Sequence, residues 1–278
     1  MSIISIAIDI KNPAEVLGCY GILALDFLLD KQITRSRFVE GLKLHAGADG
    51  RLRSGIFDFE HLDFAGLLNK CHNMVLSVND KKETTVMSDG KTVLVLDWYN
   101  TPALFLGDSG NFAQIGKSNF VATHQQSLSK ITDENYRNLF STAISIDATN
   151  YLSSYNVRKK AYQDAGGTYE AEDVFYVSEW FLLFAMQVFR HPLEKYLRLQ
   201  YRLRYGVYTS WLATNAAFAG IAGGHHSCKQ FESEKRKFGK GSVLRVAQEI
   251  SSSLPSPDYA NRVRLSAVGR FAKNSTGR

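Results

Sequence analysis

The sequence predicts an α+β protein in which helices cover one face of an antiparallel or mixed sheet. Three observations predict this class. Apolar residues alternate at the start of the chain, a capped apolar helix follows them, and a strictly alternating segment runs through Leu197–Tyr205 near the last third. The order of the predicted elements is compatible with a ferredoxin-like, RAMP-like unit at the N-terminus.

The first two elements carry the clearest local signals. Ser2–Ile10 is predicted as a strand because its isoleucines recur at every second position. The following helix begins with Asn12 as its cap, Pro13 at the first helical position and Glu15 where a capping box places a carboxylate. Ala14–Leu29 is apolar around most of its circumference, which predicts a buried helix, and its glycines predict close packing against a sheet.

The middle of the chain predicts shorter elements. Arg51–Phe64 has no clear period and is predicted as loop and short pieces. Strands are predicted at Met74–Val78 and Ala143–Asp147, and a hairpin around an Asp-Gly turn is predicted at Thr84–Trp98. Asp173–Arg190 has apolar residues three and four positions apart, which predicts a long helix.

The last third is predicted to contain a strand, a basic segment and a helix. Leucine and tyrosine alternate with arginine and glutamine in the strand Leu197–Tyr205. Gly223–Gly241 is predicted as a basic loop or hairpin, and Ser242–Leu254 as a helix that ends before two prolines. We expect residues 1–170 to form an N-terminal α+β domain, and residues 171–278 to form a basic region that packs on it or continues it.

The composition is that of an ordinary folded protein. The chain has 278 residues, of which 45% are hydrophobic and 22% are charged, and this mix excludes wholesale disorder. It contains no uninterrupted stretch of about twenty apolar residues, so no membrane span is expected. Three cysteines cannot close a disulfide framework, and the first residues lack the basic start of a signal peptide. We therefore expect a cytoplasmic protein.

Charge is distributed unevenly along the chain. The formal net charge is +6, but the residues from Arg190 onward carry 16 Lys and Arg against 5 Asp and Glu, a net of +11. The preceding part has a net charge of −5. Such asymmetry favours a polyanionic partner, and phosphate backbones are the commonest one because each neutralised phosphate releases a counterion. The alternative is a basic face that maintains solubility.

Three basic clusters are the candidate nucleic-acid-binding residues. The first lies on the predicted arginine strand, the second is interleaved with two phenylalanines between flanking glycines, and the third precedes them in the chain. They are Arg198, Arg202 and Arg204, then Lys229, Lys235, Arg236, Lys237 and Lys240, and finally Arg158, Lys159 and Lys160. Arginine matches phosphate oxygens with two parallel hydrogen bonds, and aromatic rings stack on exposed bases. The alternatives are salt bridges to the acidic N-terminal part and a solvated surface loop.

Nucleotide hydrolysis and metal chemistry are not indicated. The chain has neither a phosphate-binding Gly-Lys-Ser/Thr pattern nor a Rossmann fingerprint. His225, His226 and Cys228 are of the types that bind zinc, but no second pair follows at a regular spacing, so we expect no metal and no cofactor. Histidines also serve as general acid and base in RNA cleavage. No spacing favours a pair among His45, His61, His124, His225 and His226, so no catalytic residue is assigned.

Four segments, in chain order, carry a resemblance to a known family. They are Ile8–Leu25, with an Asn-Pro and a helix rich in small residues; Leu94–Tyr99, with Leu-Val-Leu-Asp-Trp-Tyr; Val177–Pro192, with Glu-Trp-Phe-Leu-Leu and a final Arg-His-Pro; and Tyr208–Trp211, before an alanine-rich run. Together they resemble a CRISPR-associated family of type I-U (also called I-G) systems. The chain departs from that family's pattern by lacking a proline before Glu179 and by placing His191 between Arg190 and Pro192. It therefore resembles a divergent member.

The resemblance implies a non-catalytic subunit, of the large-subunit or RAMP-like kind, in a crRNA-guided interference complex. Such a subunit contacts crRNA or target DNA, helps to recognise the sequence that flanks the target, and binds other effector subunits, whereas a separate helicase-nuclease cleaves the target. Two alternatives stay open. One is a RAMP-type endoribonuclease that processes guide RNA with a histidine. The other is a structural module whose basic face docks onto acidic protein neighbours.

Overall fold

Helices and antiparallel sheets make up the part of the chain that the structure, a computed structural model, describes, so the α+β class is confirmed. The described residues are 3–30, 34–44, 53–78, 84–88, 90–96, 139–140, 143–146, 173–178, 180–181, 184–185, 194–197, 200–221, 228–238, 241–244 and 247–250. No helix among them is long and apolar enough to cross a membrane.

The helices with defined bounds are α1 (Pro13–Asp30), α2 (Phe64–His72) and α3 (Thr214–Ile221). The strands are β1 (Ile3–Ile8), β2 (Arg35–Leu44), β3 (Arg53–Glu60), β4 (Val75–Val78), β5 (Thr84–Ser88), β6 (Lys91–Leu96), β7 (Ala143–Ile146), β8 (Asp173–Tyr176), β9 (Glu194–Leu197), β10 (Gln200–Tyr208), β11 (Leu212–Ala213), β12 (Cys228–Phe238), β13 (Gly241–Leu244) and β14 (Gln248–Ile250). Residues 177–178, 180–181 and 184–185 are also helical, and we call them the 177–185 segment.

The first sheet has the strand order β1-β3-β2-β11, and all its neighbours are antiparallel. Ile4, Ile6 and Ile8 alternate along β1 and lie on one face, as predicted. In register they are opposite Phe59, Phe57 and Gly55 of β3. This inner face packs into the core beneath α1. The rings of Phe38 and Phe57 lie at its centre. They pack edge to face, with 4.2 Å between the ring centroids.

The start of α1 confirms the predicted cap. The Asn12 side-chain oxygen accepts a hydrogen bond from the Ala14 N–H at 3.2 Å. The Glu15 carboxylate accepts from the Asn12 side-chain amide at 3.0 Å and from the Asp9 N–H at 2.7 Å. Glu15 also forms a buried ion pair with Arg53 of β3, with 3.5 Å between Oε2 and Nε. These polar contacts let a charged helix start lie inside the core.

The predicted burial of α1 is also confirmed, but its close neighbour is different. Every residue from Pro13 to Asp26 is buried. The glycines of α1 were expected to face a sheet, whereas they face the 177–185 segment and Phe140. A Cβ on Gly21 would lie 1.8 Å from the Phe181 carbonyl oxygen, and one on Gly18 would lie 3.1 Å from the Ser178 carbonyl oxygen. The absence of a side chain at Gly21 therefore sets how closely α1 approaches this segment.

Several other predictions were wrong at the level of elements. Arg51–Phe64, predicted as loop and short elements, contains the eight-residue strand β3 and the Asp63 cap of α2. The predicted helix Asp173–Arg190 begins later, because Asp173–Tyr176 is strand β8 and pairs with β7. Pairing with a distant strand overrides the local helical period there. The strands predicted at β4 and β7 and the hairpin of β5 and β6 are confirmed, and Gly90 in the hairpin turn has a φ of +74°.

The second large sheet has the order β13-β12-β10-β9, and β14 also pairs with β12. The predicted single strand Leu197–Tyr205 is two antiparallel strands, since β9 ends at Leu197 and β10 begins at Gln200. Gly223–Gly241, predicted as a loop or hairpin, contains the long strand β12, which pairs with β13. The helix predicted at Ser242–Leu254 is wrong, because Ser242–Leu244 and Gln248–Ile250 pair with β12 as parts of β13 and β14.

Strand β10 joins this sheet to the core around α1. The Tyr20 hydroxyl of α1 donates to the Gly206 carbonyl at 2.7 Å, and the Tyr205 hydroxyl donates to the Ile10 carbonyl at 2.8 Å. The hydroxyls of Tyr208 and Ser36 lie 2.6 Å apart. Residues from both sides of the predicted boundary at residue 170 thus belong to one buried cluster.

Candidate nucleic-acid interface

Adjacent strands bring six of the eleven predicted binding residues into one sheet. Arg202 and Arg204 lie in β10, and the antiparallel strand β12 beside it contains Lys229, Lys235, Arg236 and Lys237. The predicted basic loop is therefore a strand for most of its length. Arg198, Lys240, Arg158, Lys159 and Lys160 lie outside the described residues.

The arginines of β10 have carboxylate residues beside them in register. Arg204 is opposite Glu232, and its Nε donates to Glu232 Oε2 at 2.7 Å. Arg202 is opposite Glu234 on β12 and Glu194 on β9. Opposite charges at directly paired positions stabilise neighbouring strands. The salt-bridge alternative therefore holds for Arg204, but its partner belongs to the basic last third rather than to the acidic N-terminal part.

Lys229 also has a carboxylate partner. Its Nζ donates to Glu40 Oε2 of β2, and this hydrogen bond raises the pKa of Lys229. Here the partner does belong to the acidic N-terminal part. The contact connects β12 to the first sheet, so Lys229 links two parts of the fold.

On the other face of the second sheet, three lysines have uncharged residues opposite them in the described register, whereas Glu249 of β14 lies on this face opposite Phe231. Tyr201 of β10 is opposite Lys195 on β9 and Lys235 on β12. Lys237 is two positions beyond Lys235, so strand alternation places it on the same face. We call Lys195, Tyr201, Lys235 and Lys237 the lysine row. The β13 residues opposite Lys235 and Lys237 are Leu244 and Ser242, which are uncharged.

Sequence reasoning missed Lys195 because it predicted one continuous strand. The connection between β9 and β10 lies within Leu197–Gln200, which contains none of the Gly, Pro, Asn or Asp residues that usually mark a turn. Alternation alone therefore indicated an uninterrupted strand. The antiparallel pairing of β9 with β10 is what brings Lys195 opposite Tyr201.

Thiol and metal chemistry find no support among the described residues. Cys19 and Cys71 are buried and free, and burial raises the pKa of the Cys71 thiol to about 12 and that of Cys19 well above its usual value. Both thiols are therefore protonated near neutral pH and are poor nucleophiles. Within the described ranges, no three His, Cys, Asp or Glu side chains come close enough together to hold a metal ion. His225 and His226 lie outside these ranges.

No protein-family model, curated protein or solved structure matches this chain. What the chain binds is therefore inferred from its own residues.

Proposed function

We propose that this chain is a non-catalytic nucleic-acid-binding subunit of a type I crRNA-guided interference complex, and that it contacts crRNA or target DNA with its second sheet. The lysine row carries the binding part of the proposal. An aromatic residue between two lysines, with no carboxylate paired to them in register among the described residues, suits a strand whose base stacks on the ring and whose phosphates meet the ammonium groups. The net charge of +11 from Arg190 onward supports the same partner.

The spacing of the lysine row suits a single strand of nucleic acid. Lys195 and Lys235 are separated by two strand spacings, which is about 10 Å between their backbones. A strand that crosses the sheet there passes Tyr201 between two positive charges. The other predicted contacts, Arg202 and Arg204, have carboxylates in register, so a phosphate must compete with those carboxylates for them.

The assignment to an interference complex is supported by the four-segment resemblance and by the order of the first elements. Elements β1, α1, β2, β3 and α2 follow one another, and their strands are arranged as β1-β3-β2. A ferredoxin-like, RAMP-like unit begins in the same way. β4 departs from that unit, because it pairs with β5 instead of β1. The proposed setting is cytoplasmic, and the proposed partners are other effector subunits and a helicase-nuclease that cleaves the target.

The binding proposal is tested by removing equal charge from the two faces of the second sheet. The first variant carries Lys195→Gln, Lys235→Gln and Lys237→Gln, and the matched control carries Arg202→Gln, Arg204→Gln and Arg236→Gln. Fluorescence anisotropy with labelled single-stranded RNA is measured between about 50 and 200 mM salt. Loss of three phosphate contacts is expected to flatten the salt slope by about 2 units in the lysine variant, and by less in the control.

A folded lysine variant that keeps the parent's affinity and salt slope would overturn the proposed binding face.

Cleavage is examined with the same protein and a repeat RNA in the absence of metal. Intact RNA supports the non-catalytic proposal. Specific cleavage that disappears in a His225→Ala, His226→Ala variant would establish the endoribonuclease alternative instead.

A further inference from the structure

A second cationic and aromatic site lies on the outer face of the first sheet, opposite the face that packs beneath α1. Side chains of β2 alternate between the two faces of the sheet. Phe38, which follows Arg37, is buried on the inner face, so Arg35 and Arg37 lie on the outer face. Trp211 directly precedes β11, whose pairing with β2 brings the indole beside both arginines. The Cζ atoms of Arg37 and Arg35 lie over the indole ring, 4.5 and 5.8 Å from its centre.

Carboxylates on β3 hold the two guanidinium groups in place. Arg37 Nε donates to Asp58 Oδ2 at 3.0 Å, and Arg35 Nη1 donates to Glu60 Oε2 at 3.0 Å. The buried Asp58 is itself fixed, because the Ser5 hydroxyl donates to its other oxygen at 2.7 Å. The arginine side chains therefore have defined orientations before any ligand arrives, which reduces the entropy lost on binding.

Each arginine uses only one nitrogen in these contacts. Arg37 retains Nη1 and Nη2, and Arg35 retains Nε and Nη2, without a hydrogen-bond partner among the described residues. The side chains are also accessible, since 47% of Arg35 and 36% of Arg37 is exposed. Trp211 is partly exposed. The site thus offers a planar aromatic ring beside two guanidinium groups that can still donate to phosphate oxygens.

We propose that Trp211, Arg35 and Arg37, which we call the Trp211 platform, bind one nucleotide of a single-stranded nucleic acid. The base stacks on the indole face that Arg37 does not cover, and an adjacent phosphate accepts hydrogen bonds from the guanidinium groups. This inference rests on the proposed function and adds a second contact surface to it. Two arginines and two carboxylates leave the platform nearly neutral, so its affinity comes from stacking and local hydrogen bonds.

Because the platform is nearly neutral, binding at the platform should depend less on salt than binding at the lysine row. Binding energy from stacking depends little on salt, whereas lysine–phosphate contacts release counterions. Trp211→Leu is therefore expected to weaken single-stranded RNA binding by about fivefold to a hundredfold with an unchanged salt slope. Trp211→Phe keeps an aromatic face and is expected to retain most of the affinity. Arg37→Lys keeps the positive charge but loses the planar guanidinium group with its paired donors. This variant is expected to lose part of the RNA affinity.

Oligonucleotides with a single abasic position provide an independent readout. An abasic site at the stacked position is expected to weaken binding to the parent and to have no further effect on Trp211→Leu. Melting curves establish that each variant is folded, and Arg37→Lys replaces Trp211→Leu if the latter is unstable. The two proposals can fail separately. If a folded Trp211→Leu protein binds RNA like the parent and the lysine variant binds poorly, the platform proposal is overturned and the lysine-row proposal stands. A Trp211→Leu protein that loses assembly with protein subunits but keeps its RNA affinity also overturns the platform.

Discussion

Asp26 is a buried carboxyl group whose pKa is clearly raised. It lies near the end of α1 with 1% of its surface exposed, and the Thr34 hydroxyl donates to its Oδ2 at 2.5 Å. Burial raises the pKa of Asp26 to about 6, although the Thr34 hydrogen bond acts in the opposite direction. Asp30 and Asp63 raise this pKa further, and Lys70 lowers it. The ionised carboxylate is therefore less stable in the folded protein than in the unfolded chain.

The direction of the resulting pH dependence follows from proton linkage. Because the pKa of Asp26 is higher in the folded state, the folded protein binds more protons, and the free energy of unfolding falls as pH rises from 3.8 to about 6. Asp26→Asn removes this loss. We expect the variant to be more stable than the parent above pH 6 by up to about 3 kcal/mol, and equally stable below pH 3.8.

Urea unfolding at a series of pH values measures this difference. The equal stability at low pH is the internal control, since both side chains are neutral there. A parent and variant with parallel stability curves between the two pKa values would contradict the assignment.

At the scale of elements, the contact between α1 and the 177–185 segment is the closest approach described. A Cβ at Gly21 would lie 1.8 Å from the Phe181 carbonyl oxygen and 2.5 Å from its carbonyl carbon. A backbone atom cannot rotate away as a side chain can, so Gly21→Ala must separate the two helical elements. We expect a loss of about 3 kcal/mol or more in the free energy of unfolding, at or above the usual range for overpacking.

Gly18→Ala is the matched control on the same helix. Its Cβ would lie 3.0 Å from the Phe140 ring and 3.1 Å from the Ser178 carbonyl oxygen, so a shift of a few tenths of an ångström suffices. Alanine also favours a helix over glycine by about 1 kcal/mol. A smaller loss than for Gly21→Ala is therefore expected in thermal or urea unfolding. Equal losses would show that the Phe181 contact is not special.

Elements with strong local signals were predictable, and those defined by distant pairing were not. The cap at Asn12 and Glu15 identified α1 because both contacts are local in sequence. Strand β3 contains Gly55 and Ile56, which interrupt its alternation, and it becomes a strand by pairing on both sides with β1 and β2. The apolar residues of strand β2 do not alternate regularly either, so this strand was not predicted. Its outer-face arginines therefore had no assigned place before the structure.

The candidate sites show the same limit. The charge of the last third indicated a polyanionic partner, but the division into an arginine face and a lysine row depends on the register of β10 with β12 and β9. The Trp211 platform depends on a two-residue strand that pairs with a partner about 175 positions earlier. No local spacing in the sequence predicts a contact of that kind.

On the scale of the whole molecule, the second sheet and α1 share one core. Tyr205 and Tyr208 bond to Ile10 and Ser36, and Phe218 of α3 packs edge to face on Phe27 of α1. We expect calorimetry to show a single unfolding transition, because neither part can unfold without exposing the other. Residues 1–170 expressed alone are expected to lack a cooperative transition, because α1 then loses the apolar cover that β10 and α3 provide.

A chain that shows two well-separated transitions would contradict this expectation. The intact protein and the 1–170 fragment are compared at the same pH and salt, since the unfolding of a basic region depends on both. The corresponding test on the intact chain is Tyr205→Phe. It removes one hydrogen bond across the junction, and is expected to lower the single melting temperature without splitting the transition.

The burial of α1 from Pro13 to Asp26 restricts how this chain can change over evolutionary time. A helix at a protein surface tolerates substitutions on its outward positions, so its permissive sites recur about every third or fourth residue. From Pro13 to Asp26, α1 has no outward position. A saturation library of the gene should therefore contain an unbroken block of intolerant codons there, instead of a periodic one.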